Sequence, residues 1–323
     1  MNSKPVTLIL GTMTFGESVF EPDVTEMIQC FTSEGYNELD TAYVYNNGQS
    51  EKQIGNALKS IGREKVKIST KVNPRITGKL DGNAARIQLN ESLARMDIDS
   101  VDTFYLHFPD RSTPVENVLE VCSELHQQKK FKELGLSNFP AWLVADVYHK
   151  CKVNGWVLPT VYEGMYNPLT RRAEDELNEA LDYFGLRFTA YNPLAGGLLT
   201  NKYKSFSDAP VDGRFTHRPN YQKRYWKESY FNAVSSVKDI CSEYGIDIIE
   251  ASYRWLAFHS MLNGDRGDAI IVGVSKLGQL QGNIAAISKG ELPESVVAAF
   301  EKAWQITKAD CPEYFRFYGT AEK

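Results

Sequence analysis

An acid and a phenol lie close together in the stretch 38–51, where Asp40 ends a short apolar run and Tyr45 follows five residues later. A turn through Asn47-Gly48 then leads into a helical pattern, which is typical of a loop between a strand and a helix. Such a loop can direct two functional groups into one cavity. Taken alone, the same pattern also fits an aspartate that bonds the loop backbone and a half-buried tyrosine.

Two more titratable side chains, Lys71 and His107, end apolar runs further along the chain. If these runs are neighbouring strands of a parallel barrel, their ends meet at one rim, so Asp40, Lys71 and His107 reach one cavity. A nearby cation lowers the pKa of a tyrosine, so we expect Lys71 to act on Tyr45 while Asp40 keeps Lys71 charged. His107 can donate a hydrogen bond to a substrate oxygen. The four side chains predict a proton donor beside a carbonyl group.

Strand-like and helix-like segments alternate at intervals of roughly 25 to 35 residues, which favours parallel strands with crossover helices. We predict strands at 6–10, 36–40, 66–71, 101–107, 131–136, 160–164, 187–191 and 269–274. The predicted helices are 23–34, 50–61, 82–96, 114–128, 141–153, 172–184 and one that starts at Leu277. Eight such units predict an α/β fold, a closed (β/α)8 TIM barrel rather than an open doubly wound sheet. An open sheet more often carries GxGxxG after its first strand, where this chain has GTMTFG.

Two segments of the chain are additional to the eight units of a minimal barrel. Residues 202–227 show almost no periodicity and contain two prolines, so we predict a long functional loop after strand seven. This loop holds seven Lys or Arg residues against two Asp, which suits contact with phosphate groups but also fits a solvated basic surface. After a predicted helix at 293–308 the chain ends in an aromatic tail, which we expect to pack over the barrel. Because no linker divides the series, we predict a single domain over residues 1–323.

The composition is that of a soluble globular protein of 323 residues, with 42% hydrophobic and 24% charged residues. No apolar run approaches the roughly 18 residues of a membrane span, and the net charge of -5 argues against a nucleic-acid partner. The first residues lead directly into the first predicted strand, without room for a signal peptide, so we expect a cytoplasmic protein. Five separated cysteines without a CxxC pair, and five histidines without an HExxH motif, predict reduced thiols and no metal site.

Six segments, spread in order over nearly the whole chain, resemble those of aldo-keto reductases. They are LDTA (39–42) with Tyr45, STK (69–71), DTFYLH (102–107), GLSNF (135–139), YNPLAGGLL (191–199) and IVGVS (271–275). Within that family the chain is most similar to the aflatoxin-aldehyde and succinic-semialdehyde reductase group, through LPTVY (158–162), GMYN (164–167), LRF (186–188) and CPEYFR (311–316). The resemblance implies NADPH-dependent reduction of aldehydes or ketones to alcohols.

The resemblance also implies a set of site residues, with the cofactor extended across the barrel mouth. The implied catalytic residues are Asp40, Tyr45, Lys71 and His107. The implied cofactor contacts are Met13, Asp40, Ser137, Asn138, Glu163, Tyr191, Asn192, Pro193, Leu194, Gly196, Lys202, Arg214, Gly273, Ser275, Lys276, Gln279 and Asn283. The implied substrate contacts, for a small or carboxylate-bearing aldehyde, are Tyr45, His107, Tyr221, Arg224 and Arg316. Relatives in this group are often dimers, so a homodimer is one expectation for this chain.

Two positions depart from the pattern of the family. Many relatives carry Arg where Gln279 stands, after Ser275 and Lys276 open a helix whose amides can bind an anion. This departure weakens the inference that the 2′-phosphate of NADPH is recognised. Glu163 stands where the family usually has Gln against the carboxamide of the cofactor. A carboxylate can accept a hydrogen bond from that amide, but it can donate one only when protonated.

Two other functions fit parts of the sequence. A lysine at the end of a barrel strand can form a Schiff base, so Lys71 could serve an aldolase, although pairing with Asp40 would keep it charged and non-nucleophilic. The potassium-channel β subunits also resemble reductases, so a non-catalytic, cofactor-sensing subunit is the other alternative. Borohydride trapping of a substrate adduct would identify an aldolase, and slow release of NADPH without turnover would identify a sensor.

Overall fold

Eight parallel strands form a closed barrel in the computed structural model, which describes residues 4–208, 210 and 213–319. The strands are β1 (Thr7–Gly11), β2 (Glu38–Asp40), β3 (Lys67–Val72), β4 (Val101–Leu106), β5 (Phe131–Ser137), β6 (Pro159–Met165), β7 (Arg187–Tyr191) and β8 (Ala269–Gly273). Each strand pairs with the next, and β1 closes the barrel on β8, with Thr7 opposite Ala269 and Gly11 opposite Gly273. The predicted (β/α)8 TIM barrel is confirmed, with strand ends within two residues of those predicted.

Helices cover the outside of the barrel. They are α1 (Asp23–Ser33), α2 (Gln49–Ile61), α3 (Pro74–Thr77), α4 (Gly82–Met96), α5 (Glu116–Gln127), α6 (Ala141–Asn154), α7 (Leu177–Phe184), α8 (Arg214–His217), α9 (Pro219–Tyr225), α10 (Glu228–Glu243), α11 (Ile248–Phe258), α12 (Leu277–Ile287) and α13 (Glu294–Thr307). The sequence did not locate α3, α10 or α11. Among the residues that the structure describes, no helix has the length and apolar character of a membrane span.

The predicted helix 172–184 is shorter than expected. A 3-10 turn at Arg172–Glu174 comes first, and α7 begins only at Leu177. Arg171 contacts both carboxylate oxygens of Glu174, at 2.8 and 3.0 Å, and also contacts Glu301 of α13 at 2.6 Å. The ion pairs therefore fix this turn against another helix, a tertiary constraint that the local apolar pattern does not reveal.

The strands are buried on both faces, which is why they appear in the sequence as continuous apolar runs rather than alternating ones. All six residues of β4 are buried, and Leu134 and Leu136 of β5 lie fully inside the core. The surrounding helices each contribute one apolar face, as α1 does with Ile28 and Phe31. Packing on both sides holds the strand ends in fixed positions at the rim, which is what a catalytic site on this fold requires.

The segment after β7 is long, as predicted, but it is not irregular throughout. The helices α8 and α9 interrupt it, and Pro219 begins α9 at a helical position where a missing N–H costs little. The ring centroid of Phe215 lies 5.1 Å from that of Trp226 and 5.2 Å from that of Tyr203. Such packing leaves no periodic signal, so the sequence did not predict these helices. Residues 209, 211 and 212 of this segment lie outside the described residues.

The C-terminal tail packs along the carboxyl end of the barrel, as predicted. The backbone N–H of Arg316 donates to the carbonyl oxygen of Asn138 at 3.0 Å. The N–H of Tyr318 donates to the carbonyl oxygen of Pro109 at 2.8 Å. The tail therefore lies over the loops that follow β4 and β5.

Candidate active site at the carboxyl end of the barrel

Lys71 is the cation of a buried ion pair at the carboxyl end of the barrel. Its side chain is fully buried, and Nζ donates hydrogen bonds to Asp40 Oδ1 and, at 2.9 Å, to the Thr41 carbonyl oxygen. Ser69 Oγ donates to the same Asp40 oxygen at 2.9 Å. Burial alone would lower the pKa of Lys71, but Asp40 and Glu163 raise it well above its usual value. The ammonium group stays charged, which argues against the Schiff-base chemistry of an aldolase.

Tyr45 lies between Lys71 and His107. Lys71 Nζ is 5.4 Å from the centroid of the phenol ring, and the imidazole of His107 meets that ring edge to face at 6.2 Å. Burial raises the pKa of Tyr45 above its usual value, and Lys71 offsets only part of the rise. The expected effect of Lys71 on this pKa is confirmed, but the sequence reveals the cation and not the degree of desolvation that outweighs it. Tyr45 therefore stays protonated at neutral pH, as a proton donor must.

His107 directly follows β4, and its ring is held by Asn73. The Asn73 side-chain nitrogen lies 3.0 Å from His107 Nδ1, while Asn73 Oδ1 accepts from the Arg75 backbone N–H at 2.9 Å. Because Oδ1 is already engaged by an N–H, the amide nitrogen faces the ring, so Nδ1 accepts and the ring proton lies on Nε2. Burial, together with the charges of Lys71 and Arg75, lowers the pKa of His107 well below its usual value. His107 is thus a neutral hydrogen-bond donor through Nε2.

Gln88 of α4 fixes the backbone of Asn73 in turn. Gln88 Oε1 accepts from the Asn73 N–H at 2.8 Å, and Gln88 Nε2 donates to the Asn73 carbonyl oxygen at 3.1 Å. The sequence analysis missed both residues. Asn73 stands two residues after Lys71, and a buried amide at a strand end is a signal that could have been used. Gln88 gives no local signal, because its partner is 15 residues away in the chain.

The loop that carries Tyr45 is fixed by a buried carboxylate, Glu51, in the first turn of α2. Arg95 Nη1 donates to Glu51 Oε2 at 2.9 Å, and Thr70 Oγ1 donates to Glu51 Oε1 at 2.7 Å. Arg95 Nη1 also donates to the carbonyl oxygen of Tyr43 at 3.1 Å. This network joins β3 and α4 to the backbone two residues before Tyr45. The sequence analysis did not find it, since its members are far apart in the chain.

Glu163 lies on β6 beside the Asp40–Lys71 ion pair and is buried. Its Oε2 is 3.2 Å from Lys71 Nζ, but it has no hydrogen bond of good geometry to any donor in the described part of the chain. Burial and the charge of Asp40 raise the pKa of Glu163 to about 8. The sequence analysis expected this side chain only against a cofactor carboxamide. The structure adds a direct contact with Lys71.

Tyr191, Asn138 and Ser137 form a hydrogen-bonded group on the rim beside His107. The Tyr191 hydroxyl donates to Asn138 Oδ1 at 2.8 Å. Asn138 Nδ2 donates to Ser137 Oγ at 2.9 Å and to the carbonyl oxygen of His107 at 3.0 Å. Asn138 has a φ of 62°, a left-handed conformation that asparagine tolerates better than most residues. The structure thus brings together the residues predicted to contact the carboxamide and the nicotinamide ring.

The stretch 192–196 follows β7 and packs against α9; the predicted cofactor contacts in it are Asn192, Pro193, Leu194 and Gly196. The Tyr221 hydroxyl of α9 donates to Asn192 Oδ1 at 3.3 Å. Gly196 has a φ of 71°, and a Cβ atom there would lie 2.7 Å from the ring of Tyr221. Only glycine fits both the backbone conformation and this close approach.

The segment 213–227 reaches across the barrel mouth to the loop after β1. Arg218 Nη2 donates to Glu17 Oε1 at 2.7 Å, and Arg218 Nη1 lies 3.7 Å from Met13 Sδ. Met13 was predicted as a cofactor contact, whereas Arg218 and Glu17 were not singled out. The segment therefore bridges the ends of β7 and β1, as a loop that covers a cofactor would.

The predicted phosphate-binding residues lie at two places near this bridge. Lys202 is exposed at the start of the basic segment, which is residues 202–227, and Arg214 begins α8. Lys276 precedes the first residue of α12, and Gln279 Oε1 accepts from the Ser275 backbone N–H at 3.0 Å. Gln279 thus folds back onto the residue that precedes the N-cap of its helix, so an anion that binds the Ser275 N–H must displace that side chain.

Two further predicted contacts lie on β8 and α12. Gly273 is exposed at the end of β8, with open space around its Cα. Asn283 is buried, and its Nδ2 donates to the Tyr253 hydroxyl at 3.3 Å. Any contact of Asn283 with a ligand is therefore restricted to the small part of its side chain that reaches the surface.

A cavity of about 470 Å³ opens beside Phe108, whose ring stacks on the imidazole of His107 at 4.7 Å. The cavity is lined by Arg75, Phe108, Asn220 and the tail residues 316–319. The guanidinium groups of Arg75 and Arg316 lie 5.2 and 5.8 Å from the ring centroid of Phe108. Arg316 is where a substrate contact was predicted. Arg75 was missed, because an exposed arginine in a short helix resembles any solvated surface residue.

Tyr221 and Arg224, the other predicted substrate contacts, lie on α9. The guanidinium group of Arg224 is 5.6 Å from the ring centroid of Tyr221. Burial raises the pKa of Tyr191 to about 12, and both Arg224 and Arg316 act against that rise. The two arginines are therefore close enough to Tyr191 to affect its pKa. Of the two, only Arg316 is among the described residues that line the cavity beside Phe108.

The rim from β5 to β8 fits a nicotinamide dinucleotide. Asn138 holds the phenol ring of Tyr191 at the barrel mouth, and the unsatisfied Oε2 of Glu163 is the kind of atom that a bound amide would satisfy. A basic segment and the N-terminus of α12 follow at the other end, where phosphate groups bind well. The described residues hold no cluster of three potential metal ligands.

Comparisons with known proteins agree with this geometry. The model of the Aldo/keto reductase family matches residues 7–305. Aflatoxin B1 aldehyde reductase member 2 of Homo sapiens is 47% identical over 324 residues, which cover 96% of this chain and 90% of that protein. Aldo-keto reductase family 7 member A3 of Homo sapiens is 46% identical over 327 residues, covering 97% and 98%. Oxidoreductase sirO of Leptosphaeria maculans is 34% identical over 324 residues, covering 95% and 96%. The chain belongs to the aldo/keto reductase family and is an oxidoreductase that reduces aldehydes or ketones with a nicotinamide cofactor.

Proposed function

We propose that this enzyme reduces aldehydes and ketones to alcohols with NADPH, and that Tyr45 is the proton donor. The observation that carries the proposal is the state of three neighbouring side chains. Lys71 is held charged, Tyr45 is held as a phenol, and His107 is a neutral donor through Nε2. This is the set of groups that a carbonyl oxygen needs when negative charge develops on it.

Each of the three has a distinct role in the proposed reaction. His107 donates a hydrogen bond to the carbonyl oxygen and orients it. When bound, the cofactor supplies a hydride to the carbonyl carbon. As charge develops on the oxygen, Tyr45 transfers its phenolic proton to that oxygen, and the charge of Lys71 stabilises the phenolate that remains. Asp40 keeps Lys71 charged and in position, so it is the fourth catalytic residue.

The rim residues described above support NADPH as the cofactor. Ser137, Asn138, Glu163 and Tyr191 would hold the nicotinamide end. The basic segment, with Lys202 and Arg214, and the α12 terminus, with Ser275 and Lys276, would hold phosphate groups; the other proposed contacts are Met13, Asp40, Asn192, Pro193, Leu194, Gly196, Gly273, Gln279 and Asn283. The positive charge of the basic segment favours NADPH, which carries one phosphate more than NADH.

We propose further that the preferred substrates are small aldehydes that bear a carboxylate, such as succinic semialdehyde. The cavity beside Phe108 carries two guanidinium groups, those of Arg75 and Arg316, and its aromatic wall stacks on His107. Guanidinium groups bind carboxylates through paired hydrogen bonds. An aldehyde held there by its carboxylate would reach Tyr45 and His107 with its other end, and Arg224 would support the same end of the mouth.

A panel of aldehydes and ketones, assayed by loss of NADPH absorbance and repeated with NADH, tests the proposal. We expect turnover with NADPH and higher kcat/KM for carboxylate-bearing aldehydes than for neutral ones of equal length. Binding of NADPH without turnover of any carbonyl would instead support a cofactor-sensing protein. A substrate adduct trapped on Lys71 by borohydride would contradict the proposal.

We also propose that the enzyme is a cytoplasmic homodimer. All five cysteines are free thiols, which suits a reducing compartment. The homodimer rests on the resemblance to a reductase group whose members are often dimers. Light scattering of the purified protein and microscopy of a tagged chain test the two parts separately.

A further inference from the structure

Two carboxyl groups share one ammonium group beneath the barrel mouth. Lys71 Nζ donates to Asp40 and to the Thr41 carbonyl oxygen, and Glu163 Oε2 lies 3.2 Å from the same nitrogen. Burial and the charge of Asp40 both raise the pKa of Glu163. Two carboxylates that share one counter-charge disfavour each other's ionisation, so one of them tends to keep a proton.

The charge balance leads to the same requirement. With both carboxylates ionised, the buried group of Asp40, Glu163 and Lys71 carries one net negative charge, which burial strongly disfavours. The pair of Glu163 with Lys71 also lacks hydrogen-bond geometry, whereas the pair of Asp40 with Lys71 has it. The proton therefore belongs mainly to Glu163.

Several other titratable groups surround Glu163. In the strand register it lies between Ser137 of β5 and Thr189 of β7, neither of which titrates. The titratable groups that interact with it electrostatically are Asp40, Tyr45, Lys71, Tyr105, Tyr162 and Tyr191. Because the only cation in this set is Lys71, loss of the proton leaves the added negative charge poorly compensated.

We propose that Glu163 holds a proton beside the ion pair of Asp40 and Lys71, and that loss of this proton at alkaline pH lowers the rate of carbonyl reduction. Glu163 is then a positioning residue, which acts through Lys71 and Tyr45 rather than on the substrate. When the pair is protonated, the charge of Lys71 remains available to stabilise the Tyr45 phenolate. When the pair loses its proton to solvent, the new negative charge opposes phenolate formation, and proton donation slows. The inference rests on the proposed role of Tyr45.

The first test is the pH profile of kcat/KM with saturating NADPH, measured from about pH 6 to pH 10 in the wild type, Glu163→Gln and Glu163→Asp. The wild type should lose activity about threefold or more between pH 7 and pH 9, around a midpoint near the pKa of Glu163, about 8. Glu163→Gln cannot titrate, so this fall between pH 7 and pH 9 should disappear, whatever the activity of the variant at pH 7. Glu163→Asp should restore a fall. A wild-type fall that persists unchanged in Glu163→Gln overturns the inference.

The second test is thermal unfolding of the protein without added cofactor, which needs no activity. The pKa of Glu163 is raised on folding from 4.5 to about 8, so its contribution to stability is fully present below pH 4.5 and is lost as the pH rises to about 8. The difference in Tm between Glu163→Gln and the wild type should therefore increase with pH over this range. A difference that is independent of pH overturns the inference.

Glu133→Gln is the matched control. Glu133 lies at the other end of the barrel in a two-point ion pair with Arg187, and Arg187 lowers its pKa although burial opposes this. This variant should lose Tm at neutral pH, lose less at acid pH, and keep the alkaline fall in activity. If no variant reduces carbonyls at any pH, the proposed function fails, and the unfolding measurement still decides whether Glu163 holds the proton.

Discussion

The two ends of the barrel treat buried carboxylates differently. At the amino end, Asp102 of β4 accepts hydrogen bonds from Arg63 at 2.7 Å, from Lys132 at 2.7 Å and from the backbone N–H of Ile68 at 2.9 Å. Burial alone would raise the pKa of Asp102, but these donors lower it below its usual value. Two cations contact this one carboxylate, and both of its oxygens accept hydrogen bonds.

At the carboxyl end the ratio is reversed. Asp40 and Glu163 share the single cation Lys71, and the pKa of Glu163 rises rather than falls. The His107 ring beside them is also forced into its neutral form. The comparison shows two environments on one scaffold. Surplus donors lower the pKa of Asp102 at the amino end, whereas burial and a shortage of counter-charge raise the pKa of Glu163 at the other end, where catalytic groups lie.

Tyr45→Phe should produce the largest effect, because it removes the proposed proton donor from the carboxyl end. We expect reduction to fall by about 10²- to 10⁴-fold, while NADPH affinity, measured by fluorescence quenching, changes little. Lys71→Met should reduce activity comparably, since it removes the charge that stabilises the phenolate. Tyr183→Phe, at a phenol that is 83% exposed, is the control and should behave like the wild type. Near-normal turnover of Tyr45→Phe would refute the mechanism.

Asp102→Asn tests the amino end and should separate stability from activity. We expect a loss of about 2 to 3 kcal/mol in the free energy of unfolding at pH 7, because Arg63 and Lys132 lose their shared partner. The pKa of Asp102 is lowered on folding, so its stabilisation is present above pH 3.8 and is lost as the pH falls below that value. Urea unfolding at several pH values measures the deficit, which should shrink towards pH 3. A tenfold fall in kcat of the folded variant would contradict the separation of tasks.

The sequence could predict where the groups of the site lie, but not how deeply they are buried. Alternating strand and helix patterns predict the barrel, and a barrel places strand-end residues at one rim, so Asp40, Lys71 and His107 could be found together. The lowering effect of Lys71 on the pKa of Tyr45 could be predicted as well, but the larger effect of burial could not, since it depends on how deeply the phenol is buried. Local sequence patterns indicate where a group lies, but not how far it is removed from water, and removal from water shifts the pKa.

Residues that act through distant partners were missed for a related reason. Gln88 is recognisable only once Asn73 is known to lie beside it, and Glu51 only once Arg95 links it to the loop of Tyr45. Arg75 required the folded tail to reveal that it lines a cavity. In each case the signal lies in contacts between segments, which no single stretch of sequence contains.

The preference for NADPH over NADH tests the phosphate-binding part of the rim, which lies away from the buried ion pair. We expect NADPH to bind more tightly than NADH, since loss of a charge-assisted phosphate contact costs on the order of 1.5 to 3 kcal/mol. Lys276→Ala should reduce the preference, whereas Lys289→Ala, beyond the other end of α12 and paired with Glu250, should not. Fluorescence quenching gives both affinities. Equal affinities in the wild type would show that Gln279, which bonds the Ser275 N–H itself, leaves the 2′-phosphate unrecognised.

The smallest expected effect concerns the substrate end of the mouth, where several guanidinium groups lie close together. If guanidinium groups hold a substrate carboxylate, the ratio of kcat/KM for succinic semialdehyde to that for a neutral aldehyde of similar length should fall in Arg75→Ala, Arg224→Ala and Arg316→Ala. A tenfold fall corresponds to about 1.4 kcal/mol and should arise chiefly in KM, because the contact is made before the chemical step.

Arg111→Ala is the matched control for this substrate test. The guanidinium group of Arg111 lies 4.0 Å from the ring centroid of Phe317, so the variant loosens the tail without removing one of the cations proposed to bind substrate. Its ratio should match that of the wild type. A ratio that falls equally in the control would assign the effect to movement of the tail. An unchanged ratio in Arg75→Ala, Arg224→Ala and Arg316→Ala would mean that the surplus of cations at this end serves the cofactor or the fold, and not a substrate carboxylate.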